Sequence, residues 1–287
     1  MTFTTRFAPS PTGPLHLGHA YSAMLAHDMA RSQGGRFLLR IDDLDQSRAR
    51  AEWEDLIHDD LRWLGLTWDG PVRRQSDHFD AYQRAIDSLA QATGAVYPCC
   101  CKRRDIEAAA SAPQEGVPRF GPDGLIYPGT CRARPYAERA PTDALRYNLA
   151  ATVGPPSRMP AFTETGPTHA GDHEVTVEHL LTQVGDPILA RANMAASYNF
   201  AVVIDDAETA ITHVIRGEDL YEATYLQRFL QWELGLSPPV YHHHRLIRDA
   251  AGKRLAKRDD ARAIRTYRAE GATPDDIRRI VGLPPQG

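Results

Sequence analysis

Alternation of apolar and polar positions opens the chain as a short strand over residues 3–8, which runs into a rigid corner, Pro9-Ser10-Pro11-Thr12-Gly13-Pro14. The period then changes. Residues 19–31 follow a helical repeat, with Ala20, Ala23, Met24 and His27 near one face, and Gly34-Gly35 ends it. Arg36-Phe37-Leu38-Leu39-Arg40-Ile41 is a second apolar strand. Strand, helix, strand is a βαβ unit, which predicts a parallel sheet with a right-handed crossover. A second helix is predicted over 48–64, with Trp53, Leu56, Ile57, Leu61 and Leu64 on one face. After a turn over 66–71, Ser76-Asp77 is expected to cap a third helix whose stripe (Phe79, Tyr82, Ile86, Leu89) reads as core.

Periodicity then fades. Residues 111–128 and 141–160 are rich in Pro, Gly and polar residues and read as loops, the second broken by a strand-like run over 144–149. Regular patterning returns at Asp186-Pro187-Ile188-Leu189, followed by an apolar run, 198–204, that ends in Asp205-Asp206. Residues 211–215 read as a strand, and Arg216-Gly217-Glu218-Asp219 opens a helix carrying Leu220, Ala223, Gln227, Leu230 and Leu234. The fold class expected is therefore α/β. Halves of one parallel-sheet domain lie at 1–96 and 186–250, an insertion at 97–185, and a basic loop with a short helical end at 251–287. Tyr241-His242-His243-His244 is read as strand and loop, its imidazoles alternating in direction. There is no internal repeat.

Composition is that of an ordinary globular protein: 287 residues, 42% hydrophobic, 24% charged, net charge −4. No apolar run reaches the length of a membrane span, and no apolar signal region follows Met1, so a cytoplasmic protein with no membrane partner is expected. A net negative chain must hold any nucleic acid through local basic patches. Lysine occurs only at Lys102, Lys253 and Lys257, so two of the three sit in the basic loop.

The strand–corner–helix start predicts an anion site, because unpaired backbone N–H groups and the helix dipole both favour negative charge there. Gly18 permits close approach of a phosphate or base, and His16 and His19, three apart, can donate to one bound group. Asp42-Asp43-Leu44-Asp45 follows the second strand and is either a solvated acidic turn or a carboxylate facing a ligand's amino group. Arg216 stands at the second strand-to-helix junction. It is either a solvated helix-start arginine or one half of a charge-assisted pair with a carboxylate, worth about 1.5–3 kcal/mol. All four cysteines fall at Cys99-Cys100-Cys101 and Cys131. They are either buried thiols or a zinc site clamped by Cys99, Cys101 and Cys131, with a fourth ligand not evident from spacing.

Arg6-Phe7-Ala8-Pro9-Ser10-Pro11-Thr12-Gly13, His16-Leu17-Gly18-His19, Arg40-Ile41-Asp42, Tyr198-Asn199-Phe200-Ala201, Arg216-Gly217-Glu218-Asp219 and Arg254-Leu255-Ala256-Lys257-Arg258 occur in this order. The set resembles the class I aminoacyl-tRNA synthetases, glutamyl/glutaminyl branch. The resemblance implies a Rossmann-like parallel-sheet catalytic domain with a zinc-containing insertion. It implies ATP as substrate with Mg2+, bound by His16, Gly18, His19 and Lys257, with His16, His19 and Lys257 catalytic. It implies a glutamate site in which Arg6, Tyr198 and Arg216 select the side chain and Ser10 and Asp42 lie near the α-amino end, along the stretch Arg6, Phe7, Ala8, Pro9, Ser10. Carboxylate attack on an α-phosphate suits such a site, since donors and cations can stabilise the developing charge.

Within that family, the short span beyond Lys257 gives the expectation that no helical anticodon-reading domain is present. The chain therefore resembles the truncated glutamyl-tRNA synthetase paralogues. These imply tRNA-independent activation of L-glutamate and its transfer to queuosine in tRNA(Asp), by a monomer carrying one structural Zn2+ on Cys99, Cys101, Tyr127 and Cys131. The departures are Asp42 where the family usually has Glu, Arg254 and Ala256 where it has Lys and Ser, and the extra thiol Cys100. The competing expectations are a minimal glutamyl-tRNA synthetase charging a tRNA 3′ end and a non-enzymatic tRNA- or nucleotide-binding paralogue.

Overall fold

The computed structural model describes residues 2–109, 120–122, 124–153, 159–248 and 262–285. Strand β1 (Thr4–Phe7), helix α1 (Leu17–Ser32) and strand β2 (Arg36–Ile41) form the expected βαβ unit, with Arg6 opposite Leu38 in a parallel pair. The corner after β1 is tied down by backbone bonds, Pro9 accepting from Asp42 N–H at 3.0 Å and Pro11 from Arg50 N–H at 3.1 Å. Helix α2 (Ala51–Trp63) starts three residues later than the periodicity suggested, because residues 46–48 form a turn pinned by Asp45. Strand β3 (Arg73–Arg74) adds to β2, and a 3-10 turn at Gln75–His78 leads into α3 (Phe79–Thr93). The expected Ser76-Asp77 cap is absent. Both residues lie inside the 3-10 turn, so the position before α3 falls to His78, which makes no side-chain cap; Ser76 N–H separately donates to the distant Asp43 carboxylate at 2.9 Å.

Strand β4 (Val96–Cys99) begins an antiparallel sheet and is followed by α4 (Arg103–Ala109); a small hairpin of β5 (Phe120–Gly121) and β6 (Gly124–Leu125) lies inside the stretch 111–128 expected to be loop. Strand β7 (Ala144–Tyr147) pairs with β4 and precedes α5 (Leu149–Thr152). Then come the hairpin β8 (Ala161–Glu164) and β9 (Gly171–Glu174), α6 (Val177–His179), and β10 (Ile188–Ala190) against β7. Helix α7 (Tyr198–Glu208), β11 (His213–Gly217), α8 (Ala223–Glu233), β12 (Val240–His244), α9 (Ile264–Ala269) and α10 (Pro274–Val281) complete the chain.

Sheet pairing crosses the insertion boundaries expected at 97 and 185. Strand β8 joins β12 at Tyr241 opposite Glu164, and so extends the sheet of the second half, while β10 joins the antiparallel sheet of the middle region. The reason is burial: Phe162 and Glu164 point inward, so β8 needs a covered sheet edge. Strand β11 lies beside β1, joined through Thr212 N–H to Thr4 O at 2.9 Å and Thr4 N–H to Thr212 Oγ1 at 2.8 Å. The strand order is thus β3-β2-β1-β11-β12-β8-β9, and the chain reverses its direction of travel across the sheet between β1 and β11. Such a switch point opens a crevice at the strand ends.

Helix α1 covers β1, β2 and β11 with Leu17, Ala20, Ala23, Met24 and Ala30, and α10 packs behind it. Helix α10 carries a capping box on Thr273 with Pro274 at its first turn, as its sequence suggests. Its Arg278, 1% exposed, donates to both oxygens of Asp28 at 2.8 and 2.7 Å. Among the described residues no helix is long and apolar enough to cross a membrane. Asp28→Ala strands the buried Arg278 guanidinium, and chemical denaturation is expected to show a loss of about 2 kcal/mol, less than for a fully buried pair because Asp28 is partly exposed.

Candidate active site

The crevice at the β1/β11 switch point holds a cleft of about 560 Å³ lined by Arg6, Phe7, Ala8, Pro9, Ser10, Thr12, His16, Gly18, His19, Asp42, Tyr198, Arg216 and others. Every described residue named from sequence for glutamate or ATP therefore lies on one cavity. Lys257, with Arg254 and Ala256, lies outside the described residues. The flanking described residues do meet the cleft: Leu246 and Ile247 line it, and Ala263 bridges to His16.

At the helix end, His16 caps α1. Its Nδ1 accepts the Gly18 N–H at 3.1 Å, and the Nδ1 of His19 accepts the His16 N–H at 3.2 Å. A nitrogen that accepts carries no proton, so in both neutral rings the proton sits on Nε2. The rings lie 3.8 Å apart by centroid. Gly18 leaves room for this stack, since a Cβ there would sit 3.0 Å from the His16 ring.

The floor of the cleft is a buried ion lattice. Arg6 donates to Asp206 from Nε at 2.9 Å and Nη2 at 3.2 Å. Arg40 donates to Asp206 at 2.6 Å and to Asp42 at 2.7 Å. Asp205, on the same turn of α7, accepts from Arg73 (2.9 Å), Gln75 (2.8 Å) and Tyr82 (2.8 Å). Burial pushes Asp206 up, but Arg6 and Arg40 outweigh it and hold it below the usual carboxylate range. For Asp42 burial wins over Arg40, and the carboxyl is pushed up. The acidic turn is thereby resolved: Asp42 faces the cleft, Asp43 holds Ser76 and Gln46, and Asp45 pins its own turn. Asp206, Arg40 and Arg73 were not named as site residues from sequence; the signals were an acid pair closing an apolar run, for Asp206, and the Arg40-Ile41-Asp42 motif, for Arg40.

Arg216 lies in β11 and is 5% exposed, so it is not a solvated helix-start residue. It donates to His243 Nε2 at 2.9 Å, Gln227 Oε1 at 2.7 Å, Thr224 Oγ1 at 2.8 Å and Leu220 O at 3.2 Å. The histidine run alternates along β12: His243 faces Arg216, His242 faces Thr165, and His244 lines the cleft. Tyr198 opens α7 and is 37% exposed at the cleft mouth.

Away from the cleft, the Sγ atoms of Cys99, Cys101 and Cys131 lie within 4.8 Å of one another, with Cys101 and Cys131 at 3.5 Å. The Tyr127 hydroxyl is 3.3 Å from Cys99 Sγ and 3.4 Å from Cys101 Sγ. Tetrahedral zinc with bonds of about 2.3 Å to sulfur places sulfurs about 3.8 Å apart, so three thiolates and a phenol oxygen at these spacings suit the metal. Cys100 is exposed, its Sγ 4.0 Å from that of Cys131. Burial pushes Cys101 up to about 11, whereas hydrogen bonds led by Tyr127 overcome burial and bring Cys131 down to about 7.

The profile of the class I tRNA synthetases (E and Q), catalytic domain, matches residues 2–121 and 163–284. The chain belongs to this family of ligases, the class I aminoacyl-tRNA synthetases of the glutamyl and glutaminyl branch. A curated Glutamyl-Q tRNA(Asp) synthetase from Rhodobacter capsulatus is 61% identical over 284 residues, 97% of this chain and 99% of that protein. A protein of the same name from Rhodopirellula baltica is 38% identical over 96% of this chain and 82% of its own length. Among solved structures, a glutamate tRNA ligase from Elizabethkingia meningosepticum, in complex with its amino acid, superposes with a TM-score of 0.75 at 27% identity, covering 98% of this chain. This chain spans 60% of that synthetase. Methionyl-tRNA synthetase from Mycobacterium tuberculosis shares the fold at 12% identity and a TM-score of 0.60. Tyr127 and Cys131 fall between the two matched spans.

Gly18→Ala makes the His16 ring give by a few tenths of an ångström, and the KM for ATP in glutamate-dependent pyrophosphate exchange is expected to rise about 10-fold, since small displacements in a positioned site cost about 10- to 100-fold.

Proposed function

We propose that the cleft activates L-glutamate with ATP without a tRNA, and that the enzyme then esterifies the glutamate to queuosine in tRNA(Asp). The observation that carries this reading is the convergence of two kinds of anion-directed group on one cavity. Buried arginines and a histidine-capped helix N-terminus line the same cleft. Arg6 and Arg216 take the glutamate side-chain carboxylate, Tyr198 covers it, and Asp42 with Ser10 receives the α-ammonium. The α-carboxylate then attacks the α-phosphate of ATP. An acyl–phosphate bond forms, the α–β phosphoanhydride breaks, and pyrophosphate leaves. Nε2–H of His16 and of His19 donates to phosphate oxygens, and Lys257 balances the charge gathering on pyrophosphate; Mg2+ accompanies the nucleotide. In the second step a hydroxyl of the queuosine cyclopentenediol attacks the activated carbonyl, loses its proton, and releases AMP.

Cys99, Cys101, Tyr127 and Cys131 hold one structural Zn2+ in this reading. The metal takes the place of the protons that the clustered thiols and phenol otherwise share, and so ties β4 to the 127–131 loop. No chemical step involves it. The 61% identity to the R. capsulatus protein over nearly the whole of both chains supports the queuosine-directed reading. The position of the full-length synthetase among the structural neighbours keeps ordinary charging of a tRNA 3′ end as the contrary outcome.

Radiolabelled glutamate is expected to transfer, with ATP, to queuosine-containing tRNA(Asp) and not to the queuosine-free transcript, while pyrophosphate exchange runs with no tRNA present. Transfer to queuosine-free tRNA(Glu) would contradict the reading, as would absence of exchange. Protein purified without chelator is expected to carry about one zinc per chain by elemental analysis, falling well below that in Cys131→Ser; zinc-free wild-type protein with normal stability would remove the metal from the account.

A further inference from the structure

Glu164 and the middle of the histidine run take no part in the chemistry above, yet both are deeply buried, at 2% and 1% exposure for Glu164 and His243. Glu164 ends β8, and β12 lies between it and the strand of Arg216. Its Oε1 accepts from His243 N–H at 2.9 Å and Gly166 N–H at 2.5 Å, and its Oε2 meets His243 Nδ1 in a short hydrogen bond. These bonds, led by the His243 side chain, overcome burial and hold the Glu164 carboxyl down at about 2. An ionised carboxylate only accepts, so Nδ1 carries the His243 proton. Burial pushes His243 down, so the ring is neutral and Nε2 is left as an acceptor. That acceptor receives Nε–H of Arg216.

The other partners of Arg216 are a carbonyl, a hydroxyl and an amide oxygen, and Gln227 is itself held by Asn199 at 2.8 Å. Arg216 thus differs from its neighbours in the cleft. Arg6 and Arg40 each donate directly to a carboxylate. Among the described residues Arg216 has no direct carboxylate partner; the anion that serves it stands one imidazole away. Direct contact with Glu164 would fix the guanidinium but cancel its charge. A neutral imidazole between them fixes the guanidinium and leaves the charge for a ligand.

We infer that Glu164 and His243 form a positioning relay that locks Arg216 as an uncancelled cation facing the cleft and so sets the preference for a substrate carboxylate. This rests on the reading that Arg216 grips glutamate. Neither residue touches substrate.

The test is glutamate-dependent pyrophosphate exchange on the full chain, with Arg216→Ala as reference. Glu164→Gln keeps the volume but faces His243 Nδ1 with an amide that can donate, so the proton moves to Nε2 and opposes Arg216. The KM for glutamate is expected to rise about 10- to 100-fold, as for loss of one charge-assisted bond, with the KM for ATP within twofold and kcat within about threefold. Long-range 1H–15N imidazole spectra are expected to show His243 passing from the Nδ1–H to the Nε2–H tautomer. Gln227→Glu is the independent arm: it keeps the geometry and cancels the charge, and it too is expected to raise the glutamate KM at least 10-fold. If Arg216→Ala raises the glutamate KM but both other variants stay within twofold, the relay is wrong and the reading of Arg216 stands. If Arg216→Ala leaves it unchanged, both fall. A parallel rise in the KM values for ATP and glutamate, with no tautomer change, makes Glu164 a merely structural residue and overturns the proposal. Should Glu164→Gln not fold, Gln227→Glu decides on the same criterion.

Discussion

The lattice of Arg6, Arg40 and Arg73 with Asp42, Asp205 and Asp206 is the interaction on which the site depends. It joins the first strand to a helix 200 positions later and draws in β2 and β3. Arg6, Arg40 and the three carboxylates are buried while Arg73 is partly exposed; charges so placed are tolerable only while paired, and removal of one leaves its partners uncompensated. Such a lattice specifies geometry more than it adds stability. It fixes where β1 ends, where α7 begins and how both face the cleft. Neighbouring positions on one helical turn point about 100° apart, and α7 uses this to send Asp206 to Arg6 and Arg40 while Asp205 anchors Arg73, Gln75 and Tyr82.

The two sets of donors that line the cleft solve different electrostatic problems. The histidines offer donors without fixed charge, since each ring accepts a backbone N–H at Nδ1 and carries its proton on Nε2. The arginines offer charge but must stop it from being cancelled by their own supports. Arg6 is largely matched by Asp206, whereas Arg216 is held by neutral acceptors. A net charge of −4 over the chain makes such local arrangement the deciding factor for anionic ligands.

Much of this was legible from residues alone where local pattern and tertiary role agree. Residues 3–41 change period from 2 to 3.6 and back, so the βαβ unit and its corner were readable, and with them the positions of His16, Gly18 and His19. The resemblance added Arg6, Tyr198 and Tyr127, which no spacing rule selects. What escaped was charge pointing inward. In Ala-Phe-Thr-Glu of β8, Phe162 and Glu164 share the buried face, and a glutamate ordinarily marks the face toward water. Asp205, with no exposed surface, was invisible for the same reason. Ser76 does not cap α3 because the 3-10 turn Gln75–His78 carries the chain past it and leaves His78 at the helix start. The cleft is thus readable as a location, while the polar groups that tune it are tertiary facts.

The most direct test of these two donor sets is a crystal structure with a non-hydrolysable glutamyl-adenylate analogue. The side-chain carboxylate is expected within hydrogen-bond reach of Arg216 and Arg6, with the phosphate mimic against His16 and His19. An analogue bound in the reverse sense, or with its carboxylate away from both arginines, would contradict the account.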